Sequence, residues 1–194
     1  MEDPILELFE KIKKLETELS FELQKKQEEF LYEVNETRVS FEKEIQRQHR
    51  KLKKRIWRFF KDAAILNILT APFIYSLIIP GLILDAFLFV YQNVCFPVYG
   101  IPKVRRKDYI IMDRQYLSYL NWIEKFNCVY CGYFNGLMSY SREIAARTEQ
   151  YWCPIKHARK LKSVHTRYRK FFDYGDANDY QERLKKIRKD YKDD

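Results

Sequence analysis

The hydrophobic and polar positions along the chain fall into three regimes. From Ile5 to about Arg58 charged residues alternate with apolar ones, and no Gly or Pro occurs between Ile5 and Ala71. Leu8, Ile12, Leu15 and Leu19 keep a 4-3-4 spacing in a background of Glu, Lys, Leu and Gln, all good helix formers. The seam slips near Gln24–Gln27 and resumes as Phe30, Val34, Thr37 and Phe41, with Leu52 beyond, in the manner of a stutter. The pattern predicts one long helix over residues 1–58, forming a coiled coil with itself or another chain, or else packing on its own domain.

The second regime is apolar. Ala63 to Pro102 is a run of forty residues with a single charge, Asp85. A hydrocarbon core of ~30 Å needs about 20 helical residues, so forty are too many for one straight crossing. Pro80-Gly81 divides the run, and the spacing predicts a membrane hairpin over 63–101, as two short spans or a re-entrant loop. Asp85 is expected to lie near an interface or to face protein, because a carboxylate at mid-bilayer is costly. Burial of the whole run in a soluble core is the alternative.

Charge then supplies an orientation. The chain carries a net charge of +9 at pH 7, and its basic residues crowd both flanks of the apolar run. Lys53, Lys54, Arg55 and Arg58 stand upstream, and Lys103, Arg105, Arg106 and Lys107 downstream. Basic residues stay on the cytoplasmic side, so these eight are the expected contacts with the membrane surface and both termini are expected in the cytosol. Met1–Lys14 is charged and helical in pattern, unlike a cleavable signal peptide.

The third regime carries the candidate chemistry. Asp113–Phe126 and Leu137–Gln150 read as helices. Between and after them stand Cys128-Val129-Tyr130-Cys131-Gly132-Tyr133 and Trp152-Cys153-Pro154-Ile155-Lys156-His157. Two close cysteines can grip a tetrahedral ion from one tight loop, and Cys153 with His157 can close the shell. The expectation is a Cys3His metal domain over 108–160, with structural Zn(II) as cofactor. An iron–sulfur cluster or a Cys-x-x-Cys redox pair is the alternative. Arg142 and Glu149 are candidates for orienting the ligands, against the plainer reading of a solvated charged row. Cys95, inside the apolar run, reads as a small buried hydrophobe.

The first of these loops resembles the metal knuckle of rubredoxins and zinc ribbons. The second begins like theirs, with Cys153-Pro154, and then departs, since His157 stands one position beyond their second cysteine. The resemblance implies a metal site and not that fold. The wider stretch 126–158 is similar to a group of short bacterial membrane proteins sharing CxxCGY and WCPxxH, a likeness that carries no activity with it.

The remainder, 161–194, reads as a basic helical tail, in which Lys162, Arg167, Arg169 and Lys170 lie beside Tyr168, Phe171 and Phe172. Such residues suit anionic lipid headgroups or a nucleic-acid backbone. Residues 190–194 match the start of a common epitope tag. No phosphate loop or nucleophile elbow occurs. The fold class expected is mainly α. The function expected is a membrane scaffold or adaptor without catalytic residues, presenting a coiled coil and a metal module to partner proteins. A membrane redox protein and a membrane tether for nucleic acid are the alternatives.

Overall fold

The computed structural model describes residues 4–30, 32–35, 38–53 and 65–191. The chain is mainly helical and divides into two compact units, one of residues 1–60 and 113–126, the other of 61–112 and 127–194. Lys54, Arg55 and Arg58 lie outside the described residues.

In the first unit the long N-terminal helix is cut short. Helix α1 spans Pro4–Glu29 and is followed by an antiparallel hairpin of β1 (Tyr32–Asn35) and β2 (Arg38–Phe41), then by α2 (Lys43–Lys51). The register pairs Tyr32 with Phe41 and Val34 with Val39, so aromatic and β-branched residues alternate with polar ones at period 2. That alternation wins over the helical reading of Phe30, Val34, Thr37 and Phe41. Phe41 is the hub of the unit. Its ring lies 5.6 Å from Tyr32 and 5.5 Å from His49 on α2, and His49 in turn meets Tyr119 at 5.4 Å.

In the second unit, α3 (Ile65–Ser76) and α4 (Ile78–Tyr99) follow one another as a nearly continuous helical rod. The expected turn at Pro80-Gly81 does not form. Pro80 sits in the first turn of α4, where its missing N–H is not needed. Its effect appears four residues earlier: the Ser76 carbonyl loses its donor, and the helix is interrupted at Leu77. Gly100, at φ 69°, ends α4, with the Ile101 N–H donating to the Phe96 carbonyl at 2.9 Å.

The expected helices at 113–126 and 137–150 are also redrawn. Arg114–Tyr116 is a single 3-10 turn, and one 31-residue helix, α5, runs from Trp122 to Trp152. Asn121 caps it. The Asn121 side-chain oxygen accepts from the Ile123 and Glu124 N–H groups at 2.9 and 3.0 Å, and Glu124 accepts from the Asn121 N–H at 2.8 Å. Gly132 does not turn the chain. Gly132 and Gly136, one turn apart, let the segment returning from α4 press on α5. A Cβ at Gly136 would lie 2.7 Å from both Ile110 Cα and Tyr109 O, and one at Gly132 3.2 Å from Ile111 O.

Helices α4 and α5 run in the same direction, since Asp85 meets Tyr133 while Tyr99 stacks on Tyr151. The α5 residues turned inward, Tyr130, Tyr133, Leu137, Tyr140, Ile144, Arg147 and Tyr151, repeat at alternating steps of three and four. The core holds Phe96, Ile101, Val104, Ile110, Leu137, Tyr140 and Ile144. A second cluster, Phe171, Phe172, Leu184 and Ile187, joins the short helix α6 (Tyr180–Ile187) to the preceding segment. Among the described residues the tail is therefore helical only at α6 and at the 3-10 turn Thr166–Lys170. Asp190 and Tyr191 belong to the fold. Gln150 donates to the Asp190 carbonyl at 2.6 Å, Tyr191 packs against the core, and burial pushes its phenol up to about 12.

Gly136→Ala is expected to cost about 1–3 kcal/mol, because the clash is with backbone and cannot be relieved by a rotamer change. Thermal or denaturant unfolding of the purified protein measures it. Stability equal to wild type would show that segment 109–111 does not press on α5.

Candidate functional site

The surface of the α3–α4 rod is sorted by polarity. Ile65, Leu66, Phe73, Leu82, Phe87, Phe89, Val94 and Val98 are exposed, Phe87 to 72% and Val98 to 77%. Single exposed apolar residues are ordinary, but a continuous stripe of this length marks an interaction surface. Only 6% of the most apolar window is buried inside the protein, which sets this rod apart from the core helix of a soluble domain. By length and composition it can cross a membrane.

Apart from the exposed Asn67 in its first turn, polar side chains on the rod are turned inward or bonded to their own helix. Thr70 donates to the Leu66 carbonyl at 3.0 Å and Ser76 to the Phe73 carbonyl at 2.8 Å. Tyr75 donates to Asn127, and Tyr91 shares a 3.0 Å hydrogen bond with Thr148. Gln92, 6% exposed, donates to Tyr140 and accepts from the Val104 N–H at 3.0 Å. Asn93 donates to the Phe89 carbonyl and accepts from Lys103 at 2.6 Å.

Asp85 is the centre of this arrangement. Arg106 reaches back 21 positions and grips both carboxylate oxygens, Nη2 at 2.7 Å and Nε at 3.2 Å, and Tyr133 donates to the same carboxylate at 3.0 Å. The bidentate fork is the stronger form of this pairing. The Asp85 bond raises the Arg106 pKa, and burial raises that of Tyr133, so both hold their protons. The sequence marks Asp85 as an exception in the run without naming these partners. Arg106 stands among the basic residues expected at the membrane surface, and the structure gives it this internal partner. Neighbouring Arg105 pairs with Asp108 at 2.8 Å on the exposed side.

A second polar cluster closes the far end. Glu143 accepts from Arg147 at 2.7 Å and from Arg167 at 2.9 Å, with Arg147 also donating to the Pro102 carbonyl. All three side chains are at most 12% exposed. The charged row on α5 is thus partly an internal joint to the tail, and its i, i+4 spacing is the one signal in the sequence.

The four expected metal ligands are not brought together. Cys128 and Cys131 lie within α5, while Cys153 follows its last residue and His157 lies beyond. At 1.5 Å per residue, the 22 positions from Cys131 to Cys153 separate them by about 33 Å. Among the described residues no group of three or more His, Cys, Asp or Glu could hold an ion. The residues therefore do not fit a shared Zn(II) or cluster site. The helix persists through Cys128–Tyr133, and its glycine admits the close approach of Ile111 in place of a turn. His157 is exposed and its ring stacks on Tyr168. Glu149 pairs with His165 at 3.0 Å, and Arg142 donates to Ser163, so neither orients the expected ligands. Cys95 is half-buried on α4.

Comparison of the chain with protein-family models, with curated proteins and with solved structures finds no match.

Two outcomes follow. Purified protein is expected to carry far less than one zinc or iron per chain, and Cys153→Ala or His157→Ala to leave that content unchanged. Elemental analysis decides, and one ion per chain lost in each of the four single variants would require α5 to open near Gly132. Arg106→Ala is expected to loosen the return segment, with cleavage by trypsin at Lys103, Arg105 or Lys107 accelerating. A double-mutant cycle with Asp85→Asn should give a coupling of about 1 kcal/mol, since the Arg106 side chain is 46% exposed.

Proposed function

We propose that this protein is a non-enzymatic adaptor held on a membrane by the outer face of the α3–α4 rod. The observation that supports this reading is the sorting of the rod itself. Beyond the exposed Asn67 in its first turn, its outward side chains are apolar but for Thr70 and Ser76, which are bonded to their own backbone, and its carboxylate and remaining amides are bonded inward or to their own backbone. Water does not require that arrangement, whereas hydrocarbon does.

An end-to-end crossing fits poorly. The 35 residues of the rod extend about 52 Å, well beyond a ~30 Å hydrocarbon core. Such a crossing would also carry Arg106, which grips Asp85, and with it its neighbours Arg105, Lys107 and Asp108 into lipid. The rod instead rests side-on in one leaflet, with the return segment 101–112 and the outer face of α5 toward water. Both basic flanks then stay on one side, as the positive-inside bias favours, and both termini lie in the cytosol. In this reading Lys103, Arg105 and Lys107 meet anionic headgroups. Partner proteins are met through the N-terminal helix, whose apolar residues Ile12, Leu15, Leu19 and Leu23 are each more than half exposed.

The test is extraction of membranes that contain the full chain. The protein is expected to resist high salt and carbonate and to enter solution with detergent. Clean release by carbonate would mean that the apolar face is covered by another protein rather than by lipid.

A further inference from the structure

We propose that the partner of the N-terminal helix is a second copy of this chain, docked in parallel and in register through the α1 seam. This deepens the adaptor reading and rests on it for the role of the helix.

The structure limits where a coiled coil can form. Helix α1 stops at Glu29 and the chain turns into the β1–β2 hairpin, so the seam has no continuation through Phe30–Phe41. Within α1, Ile5, Ile12 and Leu19 occupy one heptad position, a, and Leu8 and Leu15 the other, d. The next d position is Glu22, which ends the seam after five residues. Ile12, Leu15 and Leu19 are 51%, 63% and 60% exposed. Isoleucine at a with leucine at d is the combination that favours two parallel strands.

The charges beside the seam agree with that choice. In a parallel pair each g position faces the e position of the next heptad on the partner, so Lys11 meets Glu16 of the second copy, twice by symmetry. An antiparallel pair would match Lys11 with Glu18, but it would set Phe9 and Glu16 against each other. A parallel pair also brings the two Glu29 ends together. Antiparallel docking of a 26-residue helix would separate those ends by about 39 Å. Two copies held on one membrane meet at raised effective concentration, which a five-residue seam needs.

The experiment uses the full chain in detergent and in vesicles. Single cysteines, Ile12→Cys or Leu19→Cys, are introduced in a background with Cys95, Cys128, Cys131 and Cys153 replaced by Ser, its helicity checked by circular dichroism. Under mild oxidation each variant is expected to form a disulfide-linked dimer, because a positions face their own counterparts only in a parallel, in-register pair. Separately, Glu16→Lys is expected to weaken dimerisation about tenfold, and adding Lys11→Glu to restore it. Glu18→Lys should have little effect. Failure of either cysteine variant to cross-link in a folded background would overturn the proposal. So would sensitivity to Glu18→Lys without sensitivity to Glu16→Lys, the mark of antiparallel docking. Carbonate extraction of the same variants is read independently, so loss of dimerisation and loss of membrane attachment are told apart.

Discussion

Backbone meets side-chain-free backbone where Tyr109–Ile111 crosses α5 at Gly132 and Gly136, and the geometry of the second unit depends on that contact. It holds the return segment against the helix pair, so that Arg106 can reach Asp85 and the Val104 N–H can reach Gln92. A larger residue at Gly136 would push the segment away from α5, where Ile110 packs into the core. The apolar rod would then keep a half-buried carboxylate and a buried amide without their partners, each costly in a low-dielectric setting. Two small residues one helical turn apart thus decide whether the polar groups of an apolar helix are satisfied.

The same economy of polar groups runs through the unit. Phenols from α5 serve where water would otherwise be needed: Tyr133 at Asp85, Tyr140 at Gln92, Tyr130 at the Ile74 carbonyl. Tyrosine suits this use because its ring packs while its hydroxyl bonds. At the far end Glu143 neutralises one of two arginines, and the Pro102 carbonyl and Gln150 take up the remaining donors shown by the geometry. Polar contacts here fix which surface faces inward, and the apolar remainder faces out.

Much of this was legible in the sequence, and the misses have physical causes. The mainly α class and the apolar run follow from composition and periodicity, which burial does not change. The hairpin at Tyr32–Phe41 was hidden because a chain without Gly or Pro reads as helix. Its period-2 alternation of Tyr, Val, Val and Phe was the competing signal. Pro80-Gly81 reads as a turn, yet a proline in a first helical turn only interrupts the helix before it, and Gly81 makes room for the Phe134 ring. The Cys-x-x-Cys-Gly motif was ambiguous in the same way. A glycine serves a sharp turn or a close contact, and only the position of Ile111 tells which. The Asp85–Arg106 pair joins residues far apart in sequence, which periodicity does not report.

The parallel course of α4 and α5 has a consequence for biosynthesis. Asp85 leaves the ribosome 21 residues ahead of Arg106 and 48 ahead of Tyr133. At about 5–20 residues per second the first partner follows after about 1–4 s and the second after about 2–10 s. During that interval the rod is exposed on every side and its carboxylate is bare. Until its second half is made, the nascent rod has neither of the groups that hold this carboxylate in the folded chain.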